Sequence, residues 1–247
     1  ARIADKETTA GPMARDKLPS KSSAADINAF LNAVERAPRR VKGGKRGRLL
    51  FAMDATASRE PTWDLACHIQ ASMFSETSNL GGLELSLCYY GGFGKFKATG
   101  WLSDSASLSA AMAKVRCEGG LTQITRVLRH AVAQAKQQPI DAVVFVGDCM
   151  EEEIDPLCHH AGELSLLGVP AFMFHEGSDP VAEKAFREVA RLTSGAYSRF
   201  DLSSAQTLRD LLSAVAVFAA GGRKALRDFE SSHRRKMLRL SHQLGKR

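Results

Sequence analysis

The sequence predicts an α/β fold: a doubly wound, mostly parallel sheet with one antiparallel edge strand and helices on both faces. Three observations predict it. Short unbroken apolar runs, such as residues 49–53 and 142–146, have the pattern of strands buried on both faces. Segments with helical periodicity separate these runs, giving the βα alternation of a parallel sheet. A glycine turn, Gly91-Gly92-Phe93-Gly94, joins two strand-like runs directly, which adds one antiparallel strand.

In chain order, residues 1–21 mix Ala, Pro, Lys, Asp and Thr without periodicity and read as a disordered tail. Ser23-Ala24-Ala25-Asp26 resembles a capping box. It opens a short helix with Ile27, Phe30, Leu31 and Val34 on one face, closed by Pro38. Residues 39–48 are a basic, Gly-rich connector into the first strand, 49–53. Residues 63–75 read as a helix with Leu65, Ile69, Met73 and Phe74 on its buried face. Strands follow at 83–90 and 95–102, then helices at 108–115 and 124–137. Next come the strand 142–146, a helix around 157–167, the strand 171–175, the helix 180–192 and the strand 196–200. A last body helix runs from 205 to about 219 until Gly221-Gly222 breaks it, and residues 223–244 form a basic helix. The expected organisation is a tail (1–21), an amphipathic helix with a basic linker (22–48), an α/β domain (49–221) and a basic C-terminal helix (222–247).

The first strand ends abruptly at Asp54, followed at alternate positions by Thr56 and Ser58. In open α/β sheets, ligands bind beyond the carboxyl ends of the strands. One carboxylate and two hydroxyls there suit a hard divalent cation, which takes oxygen ligands. Short Asp/Ser/Thr strings are common in turns, so the signal needs company. It has two companions. Gly119-Gly120-Leu121-Thr122 presents a threonine just before a helix, and the run 142–147 ends in a second carboxylate, Asp148.

These three segments, in this order and at these separations, resemble the metal-ion-dependent adhesion site (MIDAS) of von Willebrand factor type A (VWA) domains, of the intracellular, bacterial type. The resemblance covers roughly residues 47–220 and implies the VWA, Rossmann-like form of the predicted fold. Asp54, Thr56 and Ser58 match the D-x-S/T-x-S element, Thr122 the lone threonine, and Asp148 the final aspartate. Two departures are visible: Thr56 stands where Ser is common, keeping the hydroxyl, and Gly147-Asp148-Cys149 stands where Thr-Asp-Gly is common. The resemblance implies that the hydroxyls of Thr56, Ser58 and Thr122 contact Mg²⁺ or Mn²⁺ directly or nearly so. Asp54 and Asp148 would hold the ion closely, often through water. An ion held mainly by neutral oxygens keeps much of its charge and accepts one more carboxylate, supplied by a partner protein. The implied function is a non-enzymatic, Mg²⁺-dependent protein-binding scaffold module. Relatives of this kind often act beside AAA+ ATPases or within larger assemblies.

Composition sets the remaining bounds. Of 247 residues, 44% are hydrophobic and 25% charged, which are globular values. No run approaches the roughly 20 apolar residues of a membrane helix, and the first residues carry no apolar signal-peptide core. The five cysteines (Cys67, Cys88, Cys117, Cys149, Cys158) are scattered without a framework spacing. The expectation is therefore a cytoplasmic protein with free thiols. The net charge of +7 conceals an asymmetry: residues 1–48 and 222–247 are each +7, whereas residues 49–221 are −7. Basic ends on an acidic body give an alternative function, association with nucleic acid through backbone attraction.

Hydrolysis is a weaker alternative, because it needs a base or a second metal to activate water. His68, His130, His159, His160 and His175 are spread over several elements, and Cys149 with Cys158-His159-His160 matches no standard zinc spacing. Glu151-Glu152-Glu153 reads either as the acidic first turn of a helix or as carboxylates that enrich cations near the site or repel acidic competitors. None of the glycine clusters is a phosphate-binding fingerprint. An aspartate-based phosphatase would need a second Asp where Thr56 stands.

Overall fold

The structure is a computed structural model, and it describes residues 23–38, 46–60, 73–77, 82–201 and 205–244. The expected tail, much of the basic connector and most of the helix predicted at 63–75 lie outside the described residues; residues 73–77 are helical.

Six strands form one sheet in the order β3-β2-β1-β4-β5-β6. They are β1 (Gly47–Asp54), β2 (Leu83–Gly91), β3 (Lys95–Ala98), β4 (Ala142–Gly147), β5 (Ala171–Glu176) and β6 (Ala196–Phe200). All neighbours run parallel except β2 and β3. The sheet is thus mostly parallel, with β3 as its antiparallel edge. Residues 95–102 were expected as one strand, but β3 stops at Ala98. There the Thr99 N–H still donates to the Leu87 carbonyl, but its hydroxyl accepts from the Leu87 N–H, and a single bridge joins Leu85 and Leu102 beyond it.

Strand β1 is buried along its whole length because both faces are covered. Leu49, Phe51 and Met53 enter one core, and Leu50 and Ala52 the other, as the two-residue period of a strand requires. Burying each large apolar side chain stabilises the fold by about 1.5–3 kcal/mol. The second core is closed by α3 (Ile124–Gln137), α4 (Ile154–Leu166) and α5 (Pro180–Leu192). The first is closed by α1 (Ala24–Arg36), α2 (Ser105–Met112) and α6 (Ala205–Leu244).

The capping box of α1 forms: the Ser23 side chain accepts from the Asp26 N–H, and the Asp26 carboxylate accepts from the Ser23 N–H. This helix docks on the sheet through Phe30, whose ring lies 5.3 Å from that of Phe174 and 6.1 Å from that of Phe172. The break expected at Gly221-Gly222 occurs at Gly222, with φ 73° and ψ −162°. Beyond it the chain still belongs to the body, since Leu226 is fully buried and Phe229 packs on the same core. Arg223 donates to the carbonyls of Glu35, Arg36 and Ala37, satisfying the open end of α1. No helix of the described residues is long and apolar enough to cross a membrane.

Strand β1 connects onward to β2 on one side and lies beside β4 on the other, so the strand order reverses between β1 and β4. Met53 pairs with Val146. The carboxyl ends of these strands, with Asp54 and then Asp148, therefore meet at the topological switch point, where α/β sheets bind ligands.

Candidate metal centre

Asp54 is the last residue of β1 and is fully buried. Its Oδ1 accepts the Thr56 N–H at 2.7 Å, and its Oδ2 accepts the Tyr90 hydroxyl at 3.0 Å. Burial pushes its carboxyl above the usual carboxylate range; the bonds from Thr56 pull the other way, and the negative charge of Asp148 adds to the rise. Tyr90 is shifted well upward by burial and by the Asp54 charge, so it remains a donor to Asp54. Thr56 is buried and Ser58 exposed, and their hydroxyl oxygens lie 3.1 Å apart. Both belong to the tight turn that opens the 3₁₀ helix Ala57–Arg59.

Across the switch point, a carboxylate oxygen of Asp54, one of Asp148 and the Cys149 sulfur all lie within 4.8 Å of one another. Oδ1 of Asp148 is buried and has no hydrogen-bond partner. Burial and the charges of Asp148, Asp54 and Glu151 push the Cys149 thiol up to about 12. Underneath lies Arg59, 1% exposed, in an ion pair with Glu176 at the end of β5. Burial lowers its guanidinium pKa, while the charges of Asp148 and Asp54 oppose that shift. Arg59 faces Asp148 and Asp54 as well as Glu176, so one positive charge stands among three carboxylates and leaves an excess of negative charge that a divalent cation would neutralise. Two converging carboxylates, a buried oxygen without a partner and adjacent hydroxyls fit such an ion.

Thr122 is buried and arrives from a third segment. Gly120 lets that segment approach the β2–β3 turn, because a Cβ there would stand 2.0 Å from the Gly92 carbonyl oxygen. The Thr122 N–H donates to Oε2 of Glu151 at 3.2 Å, and the Glu151 N–H donates to the Thr122 hydroxyl at 3.0 Å. Thr122 is thereby tied to the loop that follows Asp148. The five predicted residues thus occupy three loops at one end of the sheet. The distances above join Asp54 to Asp148, Thr56 to Ser58, and Thr122 to Glu151.

The sequence reading missed several contributors. Glu152 accepts from the N–H groups of Ile124 and Thr125, capping α3 from a distant segment, since Gln123 at the helix entrance makes no side-chain cap. Neither reading of the glutamate triplet anticipated this, and α4 begins only at Ile154. Tyr90 lies inside an apolar strand, and Arg59 was not singled out from the sequence. His175 is buried, with Nδ1 2.9 Å from the Tyr197 hydroxyl and Nε2 3.2 Å from the Asp148 carbonyl. His159, His160 and Glu163 cluster on α4, and Cys149 groups with the two aspartates instead.

No family model matches the chain, and no curated protein matches it in sequence. Solved structures do match in fold. A von Willebrand factor type A protein from Catenulispora acidiphila aligns with TM-score 0.56 and 18% identity, over 70% of this chain and 43% of its own. The SpRpn10 VWA domain aligns with TM-score 0.53 and 13% identity, over 72% of this chain and 97% of its own. Proximal thread matrix protein 1 from the mussel byssus, with a zinc-occupied MIDAS motif, aligns with TM-score 0.55 and 15% identity, over 70% of this chain and 46% of its own. This chain thus spans less than half the length of the first and third. With its strand order and its switch-point loops, the chain has the fold of a von Willebrand factor type A domain.

Proposed function

We propose that this protein is a non-catalytic docking module in which a divalent cation at the switch point, Mg²⁺ or Mn²⁺, accepts a carboxylate from a partner protein. The observation that carries the reading is the convergence of Asp54 and Asp148, with one buried Asp148 oxygen unpartnered. Two such carboxylates repel each other at close range, and a cation between them removes that cost. The likeness to a thread matrix protein whose MIDAS motif holds zinc supports a divalent ion at this position. The hydroxyls of Thr56, Ser58 and Thr122 would supply neutral oxygens, leaving the ion enough charge to attract a further oxyanion.

The surroundings suit docking. Phe93, 95% exposed, and Leu121, 65% exposed, stand on the two turns that pack together at Gly92 and Gly120, and Leu121 immediately precedes Thr122. A partner that places a carboxylate on the ion would cover both side chains. Water activation is disfavoured, because His175, which touches Asp148, has both ring nitrogens engaged. Calorimetry with Mn²⁺ on the wild type and on Asp54→Ala tests the cation. Binding in the wild type and none in the folded variant is expected; equal affinity in both refutes the reading. Capture of partner proteins with and without EDTA tests docking, and capture unaffected by EDTA would refute the metal's part in it.

A further inference from the structure

Cys149 is the one member of the Asp54–Asp148–Cys149 group whose donor atom is soft. It follows Asp148 directly and is half-buried, so its sulfur lines the same opening as the carboxylates. Two ligands of one zinc ion, at about 2.3 Å for sulfur and 2.0–2.2 Å for oxygen, stand about 3.5 Å apart at tetrahedral angles. The three donor atoms, all within 4.8 Å of one another, need close by little more than an ångström to surround such an ion. The thiol hydrogen-bonds to the Asp148 side chain, and its neighbours are anions that gain from a cation beside them.

We infer that Cys149 is a metal ligand, and that the centre is a mixed oxygen and sulfur site selective for a thiophilic divalent cation of the zinc class over Mg²⁺. Oxygen donors alone suit Mg²⁺ or Mn²⁺, whereas a thiolate shifts the preference toward zinc and cadmium. Coordination forms a metal–sulfur bond and releases the thiol proton to solvent. A smaller number of open positions then remains for a partner's carboxylate, so the identity of the bound ion sets how strongly the module docks. The inference rests on the reading of Asp54 and Asp148 as a cation site; it adds a ligand to that site and puts a zinc-class ion in place of Mg²⁺ or Mn²⁺ as the preferred occupant.

The test titrates the full chain with Cd²⁺ and follows the ultraviolet sulfur-to-cadmium charge-transfer band, with Mn²⁺ binding measured in parallel. In the wild type, a band saturating at one ion per chain is expected. Cys149→Ser should abolish the band and lower the ratio of Cd²⁺ to Mn²⁺ affinity about a hundredfold. Mn²⁺ binding with no cadmium band, or a band that survives in Cys149→Ser, overturns the Cys149 assignment and leaves the oxygen-site reading standing. Failure of the wild type to bind either ion overturns both. A second measurement needs no variant: alkylation of the wild type followed by peptide mapping. Zn²⁺ should protect Cys149 about tenfold or more while Mg²⁺ does not; equal labelling with and without Zn²⁺ overturns the inference.

Discussion

Thr122 and Glu151 hold each other reciprocally: the backbone N–H of each donates to the side chain of the other, at 3.2 and 3.0 Å. Two loops that are 29 residues apart in sequence are fastened by one residue from each. The fastening places the threonine of the candidate site beside the segment that carries Asp148. It also uses the Thr122 hydroxyl as an acceptor, which leaves its proton and a second lone pair for other partners.

Glu151→Ala removes one half of this clasp. Hydrogen bonds to a charged group contribute about 1.5–3 kcal/mol, and the exposed setting of Glu151 places the cost near the lower end. The expected result is a loss of about 1.5 kcal/mol in stability and about tenfold in Mn²⁺ affinity. Denaturant unfolding and calorimetry check the two values, and faster hydrogen exchange across residues 118–124 identifies the loop as the part released.

Tyr90→Phe leaves Oδ2 of Asp54 buried without its donor. An unsatisfied buried acceptor costs about 1–3 kcal/mol, so the metal-free variant should unfold at lower temperature. Mn²⁺ should raise its Tm by more than it raises that of the wild type, because the ion then meets an Asp54 oxygen that the Tyr90 hydroxyl no longer occupies. Differential scanning fluorimetry of both proteins, with and without Mn²⁺, gives the comparison.

The sheet was legible because burial on both faces removes polar residues from its central strands, so runs such as residues 142–146 stand out. Helices α3 and α5 begin and end where the sequence pattern places them, at 124–137 and 180–192. The meeting of Asp54 with Asp148 follows from two strands of like polarity lying side by side, each ending in a carboxylate. What escaped is non-local. Glu151 and Glu152 bond to backbone N–H groups 27 to 29 residues away, and backbone donors leave no trace in a sequence. Arg59 escaped for the same reason: Glu176, Asp54 and Asp148, at the carboxyl ends of three strands, create a place for a buried guanidinium.

Arg59→Met separates stability from affinity. Removing one partner of a buried ion pair costs about 3–5 kcal/mol, because the remaining charge is left without compensation. Glu176→Gln added to Arg59→Met should restore more than half of that loss. Mn²⁺ affinity of the single variant should rise, since a positive charge facing Asp54 and Asp148 has been withdrawn. Chemical unfolding and calorimetry on the single and double variants report the two effects with opposite signs.

His130 supplies the pH dependence that lies outside the candidate centre. It sits on α3 with its ring 5.4 Å from that of Phe96, and its Nε2 is buried without a hydrogen-bond partner. Burial lowers its pKa below the ordinary 6.5. The group is neutral in both states at high pH, so its contribution is intact above the unfolded value of 6.5. As pH falls, the unfolded chain binds the proton first, and stability is lost progressively until the folded pKa is passed. His130→Phe should therefore flatten the fall in Tm as the pH drops below about 6.5, with its largest gain over the wild type at the acid end. A parallel decline in both proteins would assign the acid sensitivity to other groups.

Gly222 fixes the angle at which the C-terminal segment returns to the body. Its φ of 73° with ψ of −162° lies in a region that side-chain-bearing residues rarely enter. That geometry turns the chain so that Arg223 reaches the carbonyls of Glu35, Arg36 and Ala37, and Leu226 enters the core beneath α1. Gly222→Ala should cost about 1–3 kcal/mol from backbone strain alone. Leu226→Ala should cost about 2–5 kcal/mol through the cavity it leaves. The double variant tests whether the kink serves the docking of Leu226. If straightening at Gly222 already withdraws Leu226 from the core, the second substitution adds little, and the combined loss falls well short of the two single losses. Full additivity would instead mean that Leu226 stays seated whatever the backbone does at Gly222, so that α1 and the sheet hold the segment without help from the bend.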